Sequence, residues 1–326
     1  MVAIILSISI SLIVAEIFLR FAYPTPLYSF EQGLFKSSEQ YGYSLSPNVV
    51  KVHSQPEYSY KIRANSYGFR GREPIFDAAY RVLVLGRSHS MGQGVEEGHT
   101  LCDLSQQSFN EEGRSVDIFN TSISGYIGLN ELAVLETFSK TYKPHLVILF
   151  FCWIDIGPSE SLKVQNGYLV LNKGNKMTAP LREWLNNNSH LYCLIKRVYY
   201  SYCIKSVSGG PIGIGNSLSK EDMDRATGYV KKMALICKEA GSKFIVVLVP
   251  RNYTAKESDQ FRTIKDYIIH DFESNKIEVR DWAQVLPENN KSALIYKIDG
   301  HWNNEGHVFF STFLTKIIRE KMTTKP

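Results

Sequence analysis

Short apolar runs alternate with helical stretches over most of the chain beyond residue 80. Four runs are rich in β-branched residues and end at turn-forming residues, as buried parallel strands do. They are RVLVLG (81–86), VDIFN (116–120), HLVILFF (145–151) and KFIVVLVP (243–250), and IEVRDW (277–282) is a candidate fifth strand. Residues 129–141 and 219–241 have helical periodicity, and Ser219 and Gly241 suit the ends of the second helix. The alternation predicts an α/β fold built on a doubly wound parallel sheet.

Two segments depart from this alternation. Residues 24–80 are rich in Tyr, Ser, Pro and Asn, and YSYKIRA (58–64) precedes a turn-like NSYGFRG (65–71), so we expect a strand-bearing lead-in to the main domain, which then covers 81–326. Residues 156–218 are too long for a plain crossover. This second segment contains a hairpin-like GYLVLNKGN (167–175), an aromatic stretch (190–203) and a glycine-rich stretch (209–215). It is interpreted as an insertion over the carboxyl ends of the strands, which is where a lid or a partner surface would lie.

The first 23 residues, MVAIILSISISLIVAEIFLRFAY, are long and apolar enough to cross about 30 Å of hydrocarbon. We expect a single transmembrane anchor. A cleaved signal peptide is the alternative, although the segment lacks a positive n-region and a small-residue cleavage site. Arg20 lies on the carboxy side of the apolar run and by itself would favour a cytoplasmic domain, but a single arginine is weak support for either orientation.

Composition narrows the classes of function. The 326 residues are 44% hydrophobic and carry a formal net charge of +5 without a Lys/Arg run, which argues against a nucleic-acid partner. The five cysteines form no CxxC pair and no metal-ligand spacing with the eight histidines, so no zinc site is expected. Cys152 and Cys237 lie in apolar runs and are predicted to be core residues. Cys193 and Cys203 either pair in an oxidising compartment or remain two free thiols.

The first strand is followed by GRSHSMG (86–92), which places Ser88 at a strand-to-helix turn. Ligands of open α/β sheets bind outside the carboxyl ends of the strands, so this serine is a candidate nucleophile beside free helix amides. The alternative is that Ser88 only caps the next helix. His89 adjoins it and is predicted to be a solvent-facing loop residue, with lining of the pocket as the second interpretation.

The second candidate block is DGHWNNEGH (299–307), just before an amphipathic helix. A histidine with a carboxylate two residues earlier can be oriented by that carboxylate and act as a general base toward a serine. Asp299 and His301 have this arrangement. His307 lies inside the helix and is predicted to be structural.

Four blocks in order, GRSHSMG, NTSISG (120–125), FFCWID (150–155) and DGHWNNEGH, resemble those of the SGNH (GDSL-type) hydrolases over residues 81–326. The resemblance implies a three-layer, flavodoxin-like sheet and a serine esterase or O-acyltransferase without a cofactor. It also implies Ser88 as nucleophile, Asp299 and His301 as its partners, and the amides of Ser88 and Gly125 as an oxyanion hole.

The apolar amino terminus and the NSYGFRG lead-in resemble the envelope-associated members of that family. Those members imply a periplasmic or extracytoplasmic catalytic domain and, as substrate, an O-acylated glycan of the cell surface, with acetyl as the expected acyl group. They also imply a membrane O-acyltransferase or a polysaccharide assembly protein as partner.

Two positions depart from the family pattern. Arg87 stands where block one usually has aspartate, and Ile154 stands where block three usually offers an asparagine amide to the oxyanion. Arg87 is an auxiliary candidate, because its cation would compensate for the absent amide if it lay near the developing charge. The two departures also motivate a second hypothesis, a degenerate SGNH domain that serves as a binding or accessory subunit of an envelope polysaccharide complex.

A nucleotide-binding loop is disfavoured. Gly86, Gly92 and Gly94 stand at the wrong intervals for that loop, and Asn120 stands where a ribose-binding acid is expected.

Overall fold

The computed structural model describes residues 2–23, 30–55, 57–156, 162–165, 167–171, 179–196, 198, 219–250, 259–297 and 299–323. Its strands are β1 (Phe35–Ser38), β2 (Gly42–Leu45), β3 (Val50–Gln55), β4 (Tyr58–Arg63), β5 (Tyr80–Leu85), β6 (Val116–Asn120), β7 (Leu146–Phe151), β8 (Leu162–Gln165), β9 (Tyr168–Leu171), β10 (Lys243–Leu248) and β11 (Glu278–Asp281). Its helices are α1 (Val2–Phe21), α2 (Ser88–Met91), α3 (Leu101–Glu111), α4 (Gly128–Thr141), α5 (Ala179–Asn188), α6 (190–196), α7 (Lys220–Glu239), α8 (Asp259–Ser274) and α9 (Asn304–Thr323).

Five parallel strands form the central sheet in the order β11-β10-β7-β5-β6. When these five strands are renumbered 1 to 5 along the chain and the sheet is read from the β6 edge, the order is 2-1-3-4-5. This is the flavodoxin-like order. The five strands predicted from the apolar runs are therefore confirmed, including the short fifth strand. The chain reverses direction across the sheet between β5 and β7, so side chains that follow these two strands meet at the switch point, where such folds bind ligands.

Alternate side chains of the strands enter two separate cores, which gives the fold its three layers. On one face, Leu83, Val147 and Val246 pack with residues of α4, α7 and α8. On the other face, Val84 and Ile148 pack with residues of α3 and α9. Strands buried on both faces need continuous apolar runs, which explains why those runs were visible in the sequence.

The lead-in forms two antiparallel hairpins, β1-β2 and β3-β4, that pack on the α4 side of the sheet. Gly68 and Gly71 have φ values of 80° and 107°, as the turn chemistry of NSYGFRG predicts. Arg70 between them is buried, and its guanidinium donates to the carbonyls of Met91, Gly92 and Val95. The lead-in thus fixes the loop that follows α2.

The hairpin predicted within 167–175 has different bounds. Strand β9 (Tyr168–Leu171) pairs with β8 (Leu162–Gln165), which precedes the predicted segment, and Gly167 in the connection has a φ of 78°. The apolar run alone does not reveal that Leu162–Gln165 is the partner strand. Three parts of the predicted insertion lie outside the described residues: 172–178, Cys203 and the glycine-rich stretch 209–215. The Cys193–Cys203 pair therefore stays a prediction.

Helix α1 is long and apolar enough to span a membrane, and most of its length is exposed. A signal sequence passes the same test of length and composition.

Candidate active site

Ser88 is the first residue of the short helix α2, three residues after β5 ends. Gly86 makes the sharp exit from the strand, with a φ of 154°. A Cβ at this position would clash with the hydroxyl of Ser90 and lie 3.0 Å from the Cβ of Phe150, so the turn requires glycine. Ser88 is partly exposed, and its amide lies at a helix start, where it has no acceptor within the helix.

The side chains of Ser88, His301 and Asp299 form one hydrogen-bonded chain. His301 Nε2 lies 2.6 Å from Ser88 Oγ, and His301 Nδ1 lies 2.8 Å from Asp299 Oδ2. Because an ionised carboxylate only accepts, Nδ1 carries the proton and Nε2 is left to accept from the serine hydroxyl. This is the geometry of a nucleophile, its general base and the group that orients the base.

The lead-in binds Asp299 at both its carboxylate and its backbone amide. Tyr58 of β4 donates its hydroxyl to Asp299 Oδ2 at 2.7 Å, and the backbone amide of Asp299 donates to Glu57 at 2.8 Å. Burial opposes ionisation of Asp299, but hydrogen bonds from His301 and Tyr58 outweigh it, and the pKa of Asp299 is lowered. Asp299 is therefore ionised at neutral pH.

A polar chain continues from Tyr58 toward block two. Gln93 Nε2 donates to the Tyr58 hydroxyl at 3.2 Å, and the Ser124 hydroxyl donates to Gln93 Oε1 at 2.9 Å. Burial, followed by the charge of Asp299, raises the pKa of Tyr58. Tyr58 hence stays protonated and remains a donor to the aspartate.

The prediction that His89 is a solvent-facing loop residue is wrong. His89 lies in α2 and is partly buried, and its ring centroid lies 4.8 Å from that of His301 and 5.0 Å from that of Trp302. Burial, and then the neighbouring His301, hold the pKa of His89 well below its usual range. A neutral ring at this place adds no charge that would oppose protonation of His301.

His307 is buried in α9, and its Nδ1 accepts from the amide of Leu101 at 3.1 Å. Burial lowers its pKa to about 3. It therefore joins α9 to α3 as a neutral side chain, in keeping with the predicted structural role.

Arg87 pairs with Asp155, which follows β7, and the exposed side-chain fractions of the two residues are only 13% and 4%. Asp155 Oδ2 also accepts from the amide of Cys152 at 3.3 Å. Buried Glu131 lies near this pair, and its pKa is well raised by burial and by the charge of Asp155, so Glu131 is neutral. The cation of Arg87 is thus neutralised by Asp155, and this pairing removes the support for Arg87 as the cation of an oxyanion hole.

The two other predicted oxyanion positions follow β6 and β7. Gly125 has a φ of 85°, and a Cβ there would clash with Leu162 and lie 2.9 Å from the hydroxyl of Tyr43. Ile154 lies in the 3-10 turn Trp153–Ile156 with 40% of its surface exposed. The pairing of Arg87 with Asp155 brings this turn beside the residue that precedes Ser88. The Ile154 side chain itself has no hydrogen-bond donor.

All four sequence blocks therefore lie at the carboxyl end of one flavodoxin-like sheet or just before its last helix. The sheet has the flavodoxin-like strand order that the SGNH resemblance implies. No protein-family profile matches the sequence, and no curated protein is significantly similar to it.

Several solved structures are similar to this chain over about three-quarters of its length. The esterase EstA from Pseudoalteromonas sp. is 13% identical, covers 75% of this chain and 99% of its own, and has a TM-score of 0.45. A GDSL-like lipase from Bacteroides thetaiotaomicron is 14% identical, with 76% and 92% covered and a TM-score of 0.44. An acetylxylan esterase from Geobacillus stearothermophilus, solved as a catalytic mutant, is 12% identical, with 74% and 94% covered and a TM-score of 0.43. Likeness at this level leaves the activity of this chain to be argued from its own residues.

Sequence reasoning missed the residues of the lead-in that contact Asp299. Tyr58 is one of the buried residues of β4, in which buried and exposed residues alternate strictly, so its burial was predictable. Its contact with a residue 241 positions away has no sequence signal. Among the described residues, no three His, Cys, Asp or Glu side chains are grouped as ligands of a metal ion would be.

Proposed function

We propose that this chain is a membrane-anchored serine esterase or O-acyltransferase that acts on acyl groups, acetyl in the first instance, of a cell-surface glycan. The observation that carries the proposal is the continuous hydrogen-bonded chain from Asp299 through His301 to Ser88, with distances of 2.8 and 2.6 Å. A serine that only capped α2 would not require a histidine and an aspartate aligned behind it.

The reaction follows from this geometry. Ser88 Oγ attacks the acyl carbonyl while His301 Nε2 takes the hydroxyl proton, and Asp299 stabilises the imidazolium that forms. The amides of Ser88 and Gly125 are proposed to hold the oxyanion of the tetrahedral intermediate. His301 then returns the proton to the leaving alcohol, which leaves an acyl group on Ser88. Water as acceptor makes the reaction a hydrolysis, and a sugar hydroxyl makes it a transfer.

The glycan substrate, a membrane O-acyltransferase or polysaccharide assembly protein as partner, and an extracytoplasmic location are proposals that rest on the resemblance of the amino-terminal region to envelope-associated SGNH proteins. Helix α1 supports the membrane attachment by its length and composition. A reporter fused to the carboxyl terminus, active on one side of the membrane alone, tests the location.

Labelling with a serine-reactive fluorophosphonate tests the chemistry. We expect one labelled peptide, containing Ser88, in the folded wild-type chain and no labelling in Ser88→Ala. Ser37→Ala is the matched control, since Ser37 is exposed on β1 and belongs to no part of the site, and it should label like the wild type.

Ile154 favours one alternative function, a catalytically degenerate domain that acts as an accessory subunit of an envelope polysaccharide complex. Losing one oxyanion donor typically lowers the rate by about 10² to 10³. A weak enzyme with an aligned triad would still react with the activated phosphonate. Failure of the folded wild-type chain to label at Ser88 would therefore support the accessory role.

A further inference from the structure

The two charged residues of α1, Glu16 and Arg20, both bind one turn of the insertion. Glu16 accepts hydrogen bonds from the Ser189 hydroxyl at 2.9 Å, the His190 amide at 3.1 Å and the Leu191 amide at 2.9 Å. The two amides belong to the first two residues of α6, where a helix has no internal acceptors, and Ser189 directly precedes the helix. The carboxylate of Glu16 thus caps α6.

Arg20 completes the contact on the other side of the turn. Its guanidinium donates to the carbonyl of Asn188, the last residue of α5, and to the Glu16 carboxylate at 3.0 Å. A carboxylate at a helix start and a cation at a helix end each complement the helix dipole. An i, i+4 pair on α1 therefore matches the end of one helix and the start of the next.

Helices α5 and α6 also contact each other, so the contacts of α1 with the turn between them position both helices. Asn186 is buried, its side-chain oxygen accepts from Lys196 at 2.8 Å, and its carbonyl lies 3.5 Å from the thiol of Cys193. The two helices form one unit, defined here as the α5-α6 pair.

The α5-α6 pair exposes large apolar side chains. Leu181 and Trp184 of α5 are 62% and 58% exposed, and Ile195 of α6 and Val198 are 57% and 58% exposed. Each couple has i, i+3 spacing and so shares one helix face. Single exposed apolar residues are common on soluble proteins. Four within 18 positions concentrate apolar surface whose contact with water is unfavourable.

The position of the pair along α1 identifies what covers these side chains. Glu16 stands five residues before the end of α1, which at 1.5 Å per residue is about 7.5 Å of helix. Interfacial helices lie about 5 to 10 Å into the boundary between lipid headgroups and acyl chains. If α1 spans the bilayer, the turn that Glu16 and Arg20 bind lies at this depth.

We propose that the α5-α6 pair is an interfacial element that rests in the membrane surface, with Leu181, Trp184, Ile195 and Val198 against lipid. It thereby holds the SGNH-type domain at the bilayer by a second contact besides α1. The inference rests on the membrane attachment within the proposed function and is independent of the chemistry of Ser88.

Tryptophan fluorescence of the full chain reconstituted in phosphatidylcholine vesicles tests this. Trp184 is exposed, whereas Trp153, Trp282 and Trp302 are buried. We expect vesicles with brominated acyl chains to quench the emission, Trp184→Phe to lose most of that quenching, and aqueous iodide to have little effect on Trp184. Quenching of Trp184 by iodide and not by brominated lipid would overturn the proposal, since the face would then lie in water and be left for a protein partner.

A second pair of variants tests the contact with α1. Glu16→Ala removes the acceptor for three donors of the insertion and for Arg20, and it should lose most of the brominated-lipid quenching of Trp184. Ser11→Ala is the control, because the Ser11 hydroxyl donates only within α1, to the carbonyl of Ser7. Unchanged quenching in Glu16→Ala would overturn the role of α1 in placing the pair. Phosphonate labelling of Ser88 in each variant reports separately on the catalytic site.

Discussion

Replacing Tyr58 by Phe tests whether the lead-in takes part in the chemistry. The change keeps the ring, which packs 4.8 Å from that of Tyr296, and removes the hydroxyl that donates to Asp299 Oδ2 at 2.7 Å. A hydrogen bond to a charged group contributes about 1.5 to 3 kcal/mol, and a factor of ten in rate corresponds to about 1.4 kcal/mol. Part of the bond energy is common to ground and transition states, so we expect kcat to fall about tenfold, with KM little changed.

The pH profile distinguishes this effect from a general loss of structure. The Tyr58 bond helps to lower the pKa of Asp299, so its removal raises that pKa. An aspartate that must be ionised then loses its charge at a higher pH as the solution is acidified. We therefore expect the acidic limb of kcat/KM to move to higher pH.

Hydrolysis of p-nitrophenyl acetate by the full chain in detergent measures both quantities. Tyr80→Phe is the matched control, since the Tyr80 hydroxyl has no hydrogen-bond partner among the described residues and lies at the opposite end of β5 from Ser88. It should leave rate and profile unchanged. A Tyr58→Phe variant with wild-type kcat and an unmoved acidic limb would refute the positioning role.

Two further predictions concern Ile154 and His307. Ile154→Asn should raise hydrolysis of the same ester, by up to about 10² to 10³ if the absent donor limits the rate, whereas the similarly shaped Ile154→Leu should not; no gain in the folded Asn variant would contradict this explanation. The folded-state pKa of His307 is about 3, below its ordinary 6.5, so the unfolded chain binds more protons than the folded chain between these pH values. The contribution of His307 to stability is therefore complete above pH 6.5 and is lost as the pH falls toward 3. The free energy of unfolding should fall on acidification by up to about 1.4 kcal/mol per pH unit from this group, and His307→Gln should flatten the slope while His270→Gln, on an exposed part of α8, should not. A slope unchanged in His307→Gln would contradict the buried neutral state.

The strands of the sheet and the order of the four blocks were predictable because both depend on local sequence. A strand buried on both faces must be apolar throughout, so its ends can be identified in the sequence. A serine, a glycine or a histidine that stands at such a strand end or at a helix start can then be recognised as a candidate site residue. Ser88, Asp299 and His301 were found in this way, and the structure brings them within hydrogen-bonding distance.

The environment of these residues was not predictable in the same way. His89 looked like a loop residue because nothing local shows that α2 turns it toward Trp302. Arg87 pairs with Asp155, which is 68 positions away and is brought beside it only by the crossover to β7. The alternation of β8 is too short to identify as a strand before its partner is known. Contacts of high sequence separation decide the outcomes for His89 and Arg87, and single-sequence patterns do not contain such contacts.

The bond between Tyr58 and Asp299 also bears on the order in which the chain matures. The two residues are 241 positions apart, so the aspartate is synthesised long after the hydroxyl that orders it. A chain synthesised only as far as Lys297 contains Ser88 but neither its base, His301, nor the carboxylate of Asp299. Contacts of high sequence separation generally slow folding, because the long intervening loop must close before they form. Reactivity of Ser88 would then appear only in chains in which His301 and Asp299 have reached the serine, so labelling of Ser88 would report on completed folding.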